Sequence, residues 1–200
     1  MEDAKQVVII GAGAGGLPLA TSLGARYRHR DDVNVLLIDQ SMVHVWKPML
    51  HEVAAGTLTA NEDEINLFSH GEQHGYEFQF GRLERLDRGA RQLYLAPHLD
   101  DEGQEVLPPR EVAYDLLVFA VGGSCDDFGT EGVAEHAIFI DDRESGEQCH
   151  AAFVNALLGQ ECAETGSGNA VIVGAGATGV ELAAQLQAVI DSQARLGRSE

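Results

Sequence analysis

The first strong pattern is an unbroken apolar run, Val7-Val8-Ile9-Ile10, β-branched throughout and followed at once by glycines. A run this short with no polar alternation predicts a strand buried on both faces, as in a parallel sheet. Apolar residues then recur at helical spacing from Leu17 to Tyr27, and Val33 to Asp39 (VNVLLID) repeats the strand pattern. The opening segment therefore predicts β–turn–α–β, with a right-handed crossover. Residues 61–70 predict a short helix with Asn61 as its N-cap and acids in its first turn. Tyr76–Phe80, Arg82–Leu86 and Arg91–Leu95 predict three short strands of an antiparallel meander, and Pro97–Arg110 an acidic loop. Tyr114–Val121 (YDLLVFAV) predicts another buried strand, ending in Gly122-Gly123. Residues 143–159 predict a helix with Phe153, Leu157 and Leu158 inward, and residues 161–169 a polar connector at a domain boundary.

After the connector the opening recurs. Ala170–Val173 (AVIV) leads into GAGATG and a helix from Val180 to Leu196. VVIIGAGAGG near the start and VIVGAGATGV near the end form the chain's one internal repeat, at a period far too long for a solenoid. It predicts two nucleotide-binding units, the second only begun within the 200 residues.

The chemistry lies in the turns. In Gly11-Ala12-Gly13-Ala14-Gly15-Gly16, the first glycine permits a tight turn, Gly13 lets backbone approach a pyrophosphate, and Gly16 lets the helix pack on the strand. The helix N-terminus then offers N–H groups and a positive dipole end to phosphates. Asp39 lies 23 residues after Gly16, at a strand end, where a carboxylate can accept from ribose hydroxyls. A strand-end acid facing water is the plainer reading of that residue. Gly174-Ala175-Gly176-Ala177-Thr178-Gly179 repeats the turn, and its own ribose acid would fall beyond Glu200. One dinucleotide does not need two cradles, so two different cofactors are expected.

Charge and composition narrow the partners. The net charge is −19 with a pI near 4.6, which argues against a nucleic-acid surface and against electrostatic docking to anionic lipid. Residues 100–165 hold 16 Asp/Glu and two Arg, a solvated acidic face or a mark of salt adaptation. Val7–Ala25 is uncharged, but it contains five glycines and a proline and follows a net-acidic leader, so neither a signal peptide nor a membrane span is expected. The three cysteines, Cys125, Cys149 and Cys162, form no CxxC or CxxxxC pair. That disfavours a disulfide framework, a zinc site or a dithiol redox enzyme, and suits a reducing compartment. His44, His51, His70 and Lys47 do not have metal-ligand spacing, and no metal is assigned.

The order GxGxxG, acid, DLLVxAxG, GxGxxG resembles that of the flavoproteins with two dinucleotide-binding domains. Within them, HVWKPMLHEVAAGTL (His44–Leu58), GGSCDDFG (Gly122–Gly129) and GATGVELA resemble the type II, non-proton-pumping NADH:quinone oxidoreductases. The resemblance covers the whole chain but only the N-terminal half of a family member. It implies an α/β fold: a Rossmann-like FAD-binding domain over 1–162, built of a parallel sheet plus a meander, and the beginning of a Rossmann-like NADH-binding domain over 163–200. It implies that Gly11, Ala12, Gly13, Ala14, Gly15 and Gly16 hold the FAD pyrophosphate, and Asp39 with Gln40 the adenosine ribose. His44 and Lys47 would lie on the flavin side, Leu83 against the adenine, and Ala120 and Gly122 close to the FAD. Gly174, Gly176 and Gly179 would open the NADH site. Glu181 matches the family's acid near nicotinamide and quinone, a candidate catalytic group for proton handling; a first-turn acid favoured by the helix dipole is the alternative.

Quinone is the implied acceptor, and membrane contact at the cytoplasmic face of the inner membrane is implied through the other half of a family member. Three other readings stay open: sulfide:quinone oxidoreductase, ferredoxin-type reductase, and an inactive truncated nucleotide-binding fragment. A fragment would leave the sheet edge and the helix from Val180 without partners, with aggregation expected despite the charge.

Overall fold

The protein is described by a computed structural model covering residues 4–44, 46–58, 64–162 and 169–196. In chain order the first elements are β1 (Lys5–Ile10), α1 (Gly16–Tyr27), β2 (Val33–Asp39), β3 (Val43–His44), α2 (Leu50–Ala55), β4 (Ile65–Asn66) and α3 (Leu67–His74). There follow β5 (Glu77–Phe80), β6 (Leu83–Asp87), β7 (Gln92–Leu95), β8 (His98–Leu99), β9 (Glu105–Leu107), β10 (Arg110–Ala113) and β11 (Leu116–Phe119). The last three helices are α4 (Val133–His136), α5 (Arg143–Cys162) and α6 (Ala177–Leu196). These form two compact units, one of residues 1–44 and 64–123, the other of 45–63 and 124–200.

The first unit is built on a four-stranded parallel sheet, order β11-β1-β2-β5. Alternate residues of a strand point to opposite faces, and here both faces are covered. Ile9, Val35 and Leu37 pack with Leu17 and Ala20 of α1 and with Leu67 and Tyr76. Val8, Ile10, Leu36 and Ile38 pack with Leu93 and Leu95 of the three-stranded antiparallel sheet β10-β7-β6. That two-sided burial is why VVII carries no polar position. Each fully buried residue of this kind contributes about 1.5–3 kcal/mol. Helix α1 lies so close to the end of α3 that a Cβ on Gly24 would stand 2.6 Å from the His74 carbonyl oxygen.

Several elements differ from the sequence expectation. β5 is not part of the meander; it pairs parallel with β2, Leu37 opposite Phe78, because β2 needs a neighbour on its outer side. The meander's third strand is instead β10, and the expected acidic loop contains the β8–β9 hairpin. The helix expected over 61–70 begins at Leu67, where Asn66 Oδ1 accepts from the Ser69 N–H at 3.0 Å; Asn61 lies outside the described residues. β11 is an edge strand, not a buried one: Leu116 and Phe119 are half-exposed because, among the described residues, β1 is its only ladder partner.

In the second unit, a 3₁₀ turn (Lys47–Met49) leads into α2, which packs on both α5 and α6. Ala54, Ala55, Leu182 and Leu186 form its core, joined by Ile140, Cys149 and Phe153. Phe153 points inward as the periodicity requires, whereas Leu158 is exposed. Ala170–Val173 makes no ladder, and Val171 and Val173 are 84% and 91% exposed. The expected boundary at 162/163 adjoins residues 163–168, outside the described set. Among the described residues, no helix is long and apolar enough to cross a membrane.

Candidate functional site

The first glycine turn is locked on one side and open on the other. Gly11 has φ +100°, a conformation that favours glycine, and its N–H donates to the Ile38 carbonyl at 2.8 Å. A Cβ there would stand 2.4 Å from the Ala120 carbonyl oxygen, and a Cβ on Gly16 would stand 1.8 Å from the Gly11 carbonyl oxygen. Gly13 and Gly15 have no atom within 4 Å of where a Cβ would lie. Helix α1 has no side-chain N-cap and no acid in its first turn. The Leu17 and Leu19 N–H groups donate to the Gly13 and Gly15 carbonyls and Pro18 has no N–H, so what the helix start offers an anion is chiefly its positive dipole end.

Asp39 closes this turn from the end of β2. One carboxylate oxygen accepts from the buried Ala12 N–H at 2.6 Å, the other from the Ser41 N–H at 2.8 Å. Beside it lies a cavity of about 170 Å³, lined by Gly11, Asp39, Gln40, Gly81, Arg82 and Leu83 among others. Pockets that enclose a whole drug-sized ligand run to about 300–1,000 Å³, so this one suits one end of a dinucleotide. Ala120 flanks the turn, its N–H donating to the Ile10 carbonyl at 2.8 Å. Gly122 follows with φ +72° and open space around it.

Gly81 and Arg82 were not expected at the site. They sit on the β5–β6 connection, which Arg110 holds by donating to the Phe80 carbonyl at 2.9 Å. Nothing local in the sequence marks them, because the three-stranded sheet brings them there. His44 does not line the cavity. It is buried in β3, paired with Ile65 of β4, and its charge bears on His70 of α3.

The other unit holds Lys47, the second turn and Glu181. The second turn repeats the first: Gly174 has φ +111°, and a Cβ on Gly179 would stand 2.2 Å from the Gly174 carbonyl oxygen. Gly176 faces open space, and the Val180 N–H donates to its carbonyl at 3.1 Å, as the Leu17 N–H does to Gly13 at 3.1 Å. Glu181, in the second turn of α6 and so past the first-turn position that the dipole alternative needs, has a half-exposed carboxylate 3.5 Å from Nδ1 of buried His51. Lys47 acts electrostatically on Asp142 and Cys125. The Cys125 thiol is pushed up by burial and by Asp141, so it is not poised as a thiolate. Cys125 and Cys149 are free thiols. Among the described residues, no group of three or more His, Cys, Asp or Glu could hold a metal ion.

The family described as pyridine nucleotide-disulphide oxidoreductase matches residues 5–197. The chain belongs to this family. Within it, a type II NADH:quinone oxidoreductase of Haemophilus influenzae is 35% identical over 198 residues, covering 91% of this chain and 45% of that protein. One of Staphylococcus aureus is 27% identical over 189 residues, covering 92% and 44%. The chain therefore spans less than half the length of these curated relatives. Among solved structures, NDH2 from Plasmodium falciparum superposes with TM-score 0.74 at 21% identity, over 96% of this chain and 38% of that one. The sulfide:quinone oxidoreductase of Aquifex aeolicus gives 0.62 at 24% identity, over 78% and 33%. These likenesses establish the α/β, Rossmann-type fold of an oxidoreductase family.

Proposed function

We propose that this chain is the nucleotide-binding part of an FAD-dependent NADH:quinone oxidoreductase, with FAD at the first glycine turn and NADH at the second. The observation that carries the reading is the pair of turns built alike, each closed by one glycine pair and open at its middle glycine. The residues at the first turn fit the FAD. Gly13 and Gly15 leave room for a pyrophosphate, α1 presents an uncapped N-terminus, and Asp39 lies beside a cavity of the right scale for the adenosine end. Gln40 and Leu83 would line that end, and Ala120 and Gly122 would border the flavin side. Gly174, Gly176 and Gly179 would hold the NADH pyrophosphate.

When bound, FAD accepts a hydride from NADH and supplies two electrons to the acceptor. The chain's own part is to bind, orient and handle the accompanying proton. We assign that last role to Glu181, with Lys47 and His44 on flavin-side segments. We read residues 1–162 as the FAD-binding domain and 163–200 as the start of the NADH-binding domain. Quinone as acceptor and contact with the cytoplasmic face of the inner membrane belong to this proposal. The relatives' shared name and the 35% identity support it over sulfide oxidation or ferredoxin reduction.

The test is direct. The purified chain is examined for flavin absorption, then assayed for NADH oxidation with a soluble quinone analogue. Flavin near one per chain is expected, and quinone-dependent turnover where these residues stand within a protein of the relatives' full length. A protein that binds no flavin after reconstitution with FAD overturns the assignment of the first turn.

A further inference from the structure

His51 is one of two buried polar side chains in the described cores, and the proposed function makes no use of it. It stands on α2, packed toward α6, at 7% exposure. Its Nδ1 is fully buried and makes no hydrogen bond. The carboxylate facing that atom is Glu181 of α6, whose Oε2 is 3.5 Å away. On the other side, Nε2 is 3.8 Å from Oε1 of Glu52, on the same helix as His51.

We propose that His51 is the positioning residue of Glu181: its Nδ1–H holds the Glu181 carboxylate and exchanges a proton with it. This rests on the reading of Glu181 as the acid of the site. Three observations carry it. A buried ring nitrogen left unpaired is unfavourable, so it favours an acceptor within reach. Glu181 is 52% exposed, so its carboxylate can move the remaining fraction of an ångström to a hydrogen-bond distance of about 2.8 Å. Such bonds are commonly long before substrate arrives and tighten afterwards. Finally, Glu52 is only 29% exposed and faces the far nitrogen, so the imidazole lies between two carboxylates, one inner and one outer.

The proton balance is simple. NADH, one proton and quinone give NAD⁺ and quinol. His51 releases the Nδ1 proton to Glu181 and takes one at Nε2 from the Glu52 side, ending as the neutral Nε2–H tautomer; the Nδ1–H form is restored when Nδ1 takes a solvent proton through half-exposed Glu181 and Nε2 returns its own to the Glu52 side. Glu181, now protonated, delivers that proton to the quinone oxygen and returns to the carboxylate. Other titratable groups on the packed elements are His150, whose ring lies over Gly56 at the end of α2, and Cys149 of α5, whose thiol burial pushes up. Lys47 lies on the turn before α2.

The experiment is imidazole proton–nitrogen NMR of the histidine-labelled chain, with Glu181→Ala as the variant. In the parent, His51 is expected as the Nδ1–H tautomer with a downfield proton. In Glu181→Ala it should revert to the Nε2–H form with unchanged circular dichroism. The same tautomer in both proteins overturns the proposal. Glu181→Gln, which keeps an acceptor, is the second variant and should retain the Nδ1–H form. In a preparation that reduces quinone, His51→Asn should lower kcat about tenfold or more and alter its pH profile, with the KM for NADH little changed. An unaltered pH profile overturns the proton-exchange role. A tautomer change in a protein without quinone turnover supports the pair while refuting the proposed reaction.

Discussion

The carbonyl oxygen of Gly11 occupies the place a side chain on Gly16 would need, 1.8 Å from the ideal Cβ position. Gly174 and Gly179 stand in the same relation at 2.2 Å. The strand-to-helix turn is thus closed by contact of backbone with backbone, twice in one chain. Between the paired glycines, Gly13 and Gly176 touch nothing where a side chain would grow. Closure therefore falls on one pair of glycines in each turn and leaves the middle glycine open.

That separation predicts opposite outcomes for two substitutions. Gly16→Ala should destabilise the fold by about 1–3 kcal/mol, the usual cost of forcing volume into a packed site. Gly13→Val should leave stability within about 0.5 kcal/mol yet abolish flavin binding by filling the pyrophosphate space. Melting temperature and flavin content of both variants decide the matter. A Gly13→Val protein with normal flavin content removes the pyrophosphate from this turn.

Asp39 binds the turn as well as lining the cavity. Asp39→Ala leaves the buried Ala12 N–H without its carboxylate acceptor. The expected loss is about 1.5–3 kcal/mol, as for a hydrogen bond to a charged group. Flavin retention should fall with it. Asp39→Asn retains one oxygen acceptor and should lose less in a denaturant melt.

Protonation of His70 should loosen the junction of α3 and β5. Its Nδ1 lies 2.8 Å from the Tyr76 hydroxyl. Burial pushes the Tyr76 phenol up to about 12, so it stays protonated and can donate to a neutral imidazole. Burial first, then His74 and His44, lower the His70 pKa below the ordinary 6.5. A base with a depressed pKa contributes stability that is complete above the unfolded value and is lost as pH falls through the folded one. Urea midpoints should therefore decline as pH drops below 6.5. The decline should be shallower in His70→Gln; equal slopes would count against the pairing.

The edge strand β11 should promote self-association. Leu116 and Phe119 are half-exposed on a strand whose outer edge is unpaired among the described residues, the arrangement most open to pairing with another chain. Leu116→Lys should reduce the associated fraction in sedimentation velocity without lowering the melting temperature by more than about 0.5 kcal/mol equivalent.

Legibility followed the range of the interactions. The turns, β1, β2 and α1 could be read because each is encoded within about a dozen neighbouring residues. β5 could not be distinguished from a meander strand, since Glu77–Phe80 is compatible with either partner and only β2 chooses between them. Asn66 was missed as the α3 cap because Asn61 offered the same chemistry earlier in the chain. Arg82 entered the site through a connection whose position depends on Arg110, far along the chain.

By itself, the sequence determined the two glycine turns, the acid at the end of β2, the parallel α/β class and the family. The second turn shows how local that encoding is: it closes like the first even though Val171 and Val173 beside it are exposed. Only the tertiary structure decided which strand takes which edge, that Asp39 accepts from Ala12, and that His51 faces Glu181. Turns are set by backbone sterics between near neighbours. Edges and cross-helix pairs are set by burial, which depends on residues that meet only after the chain has folded.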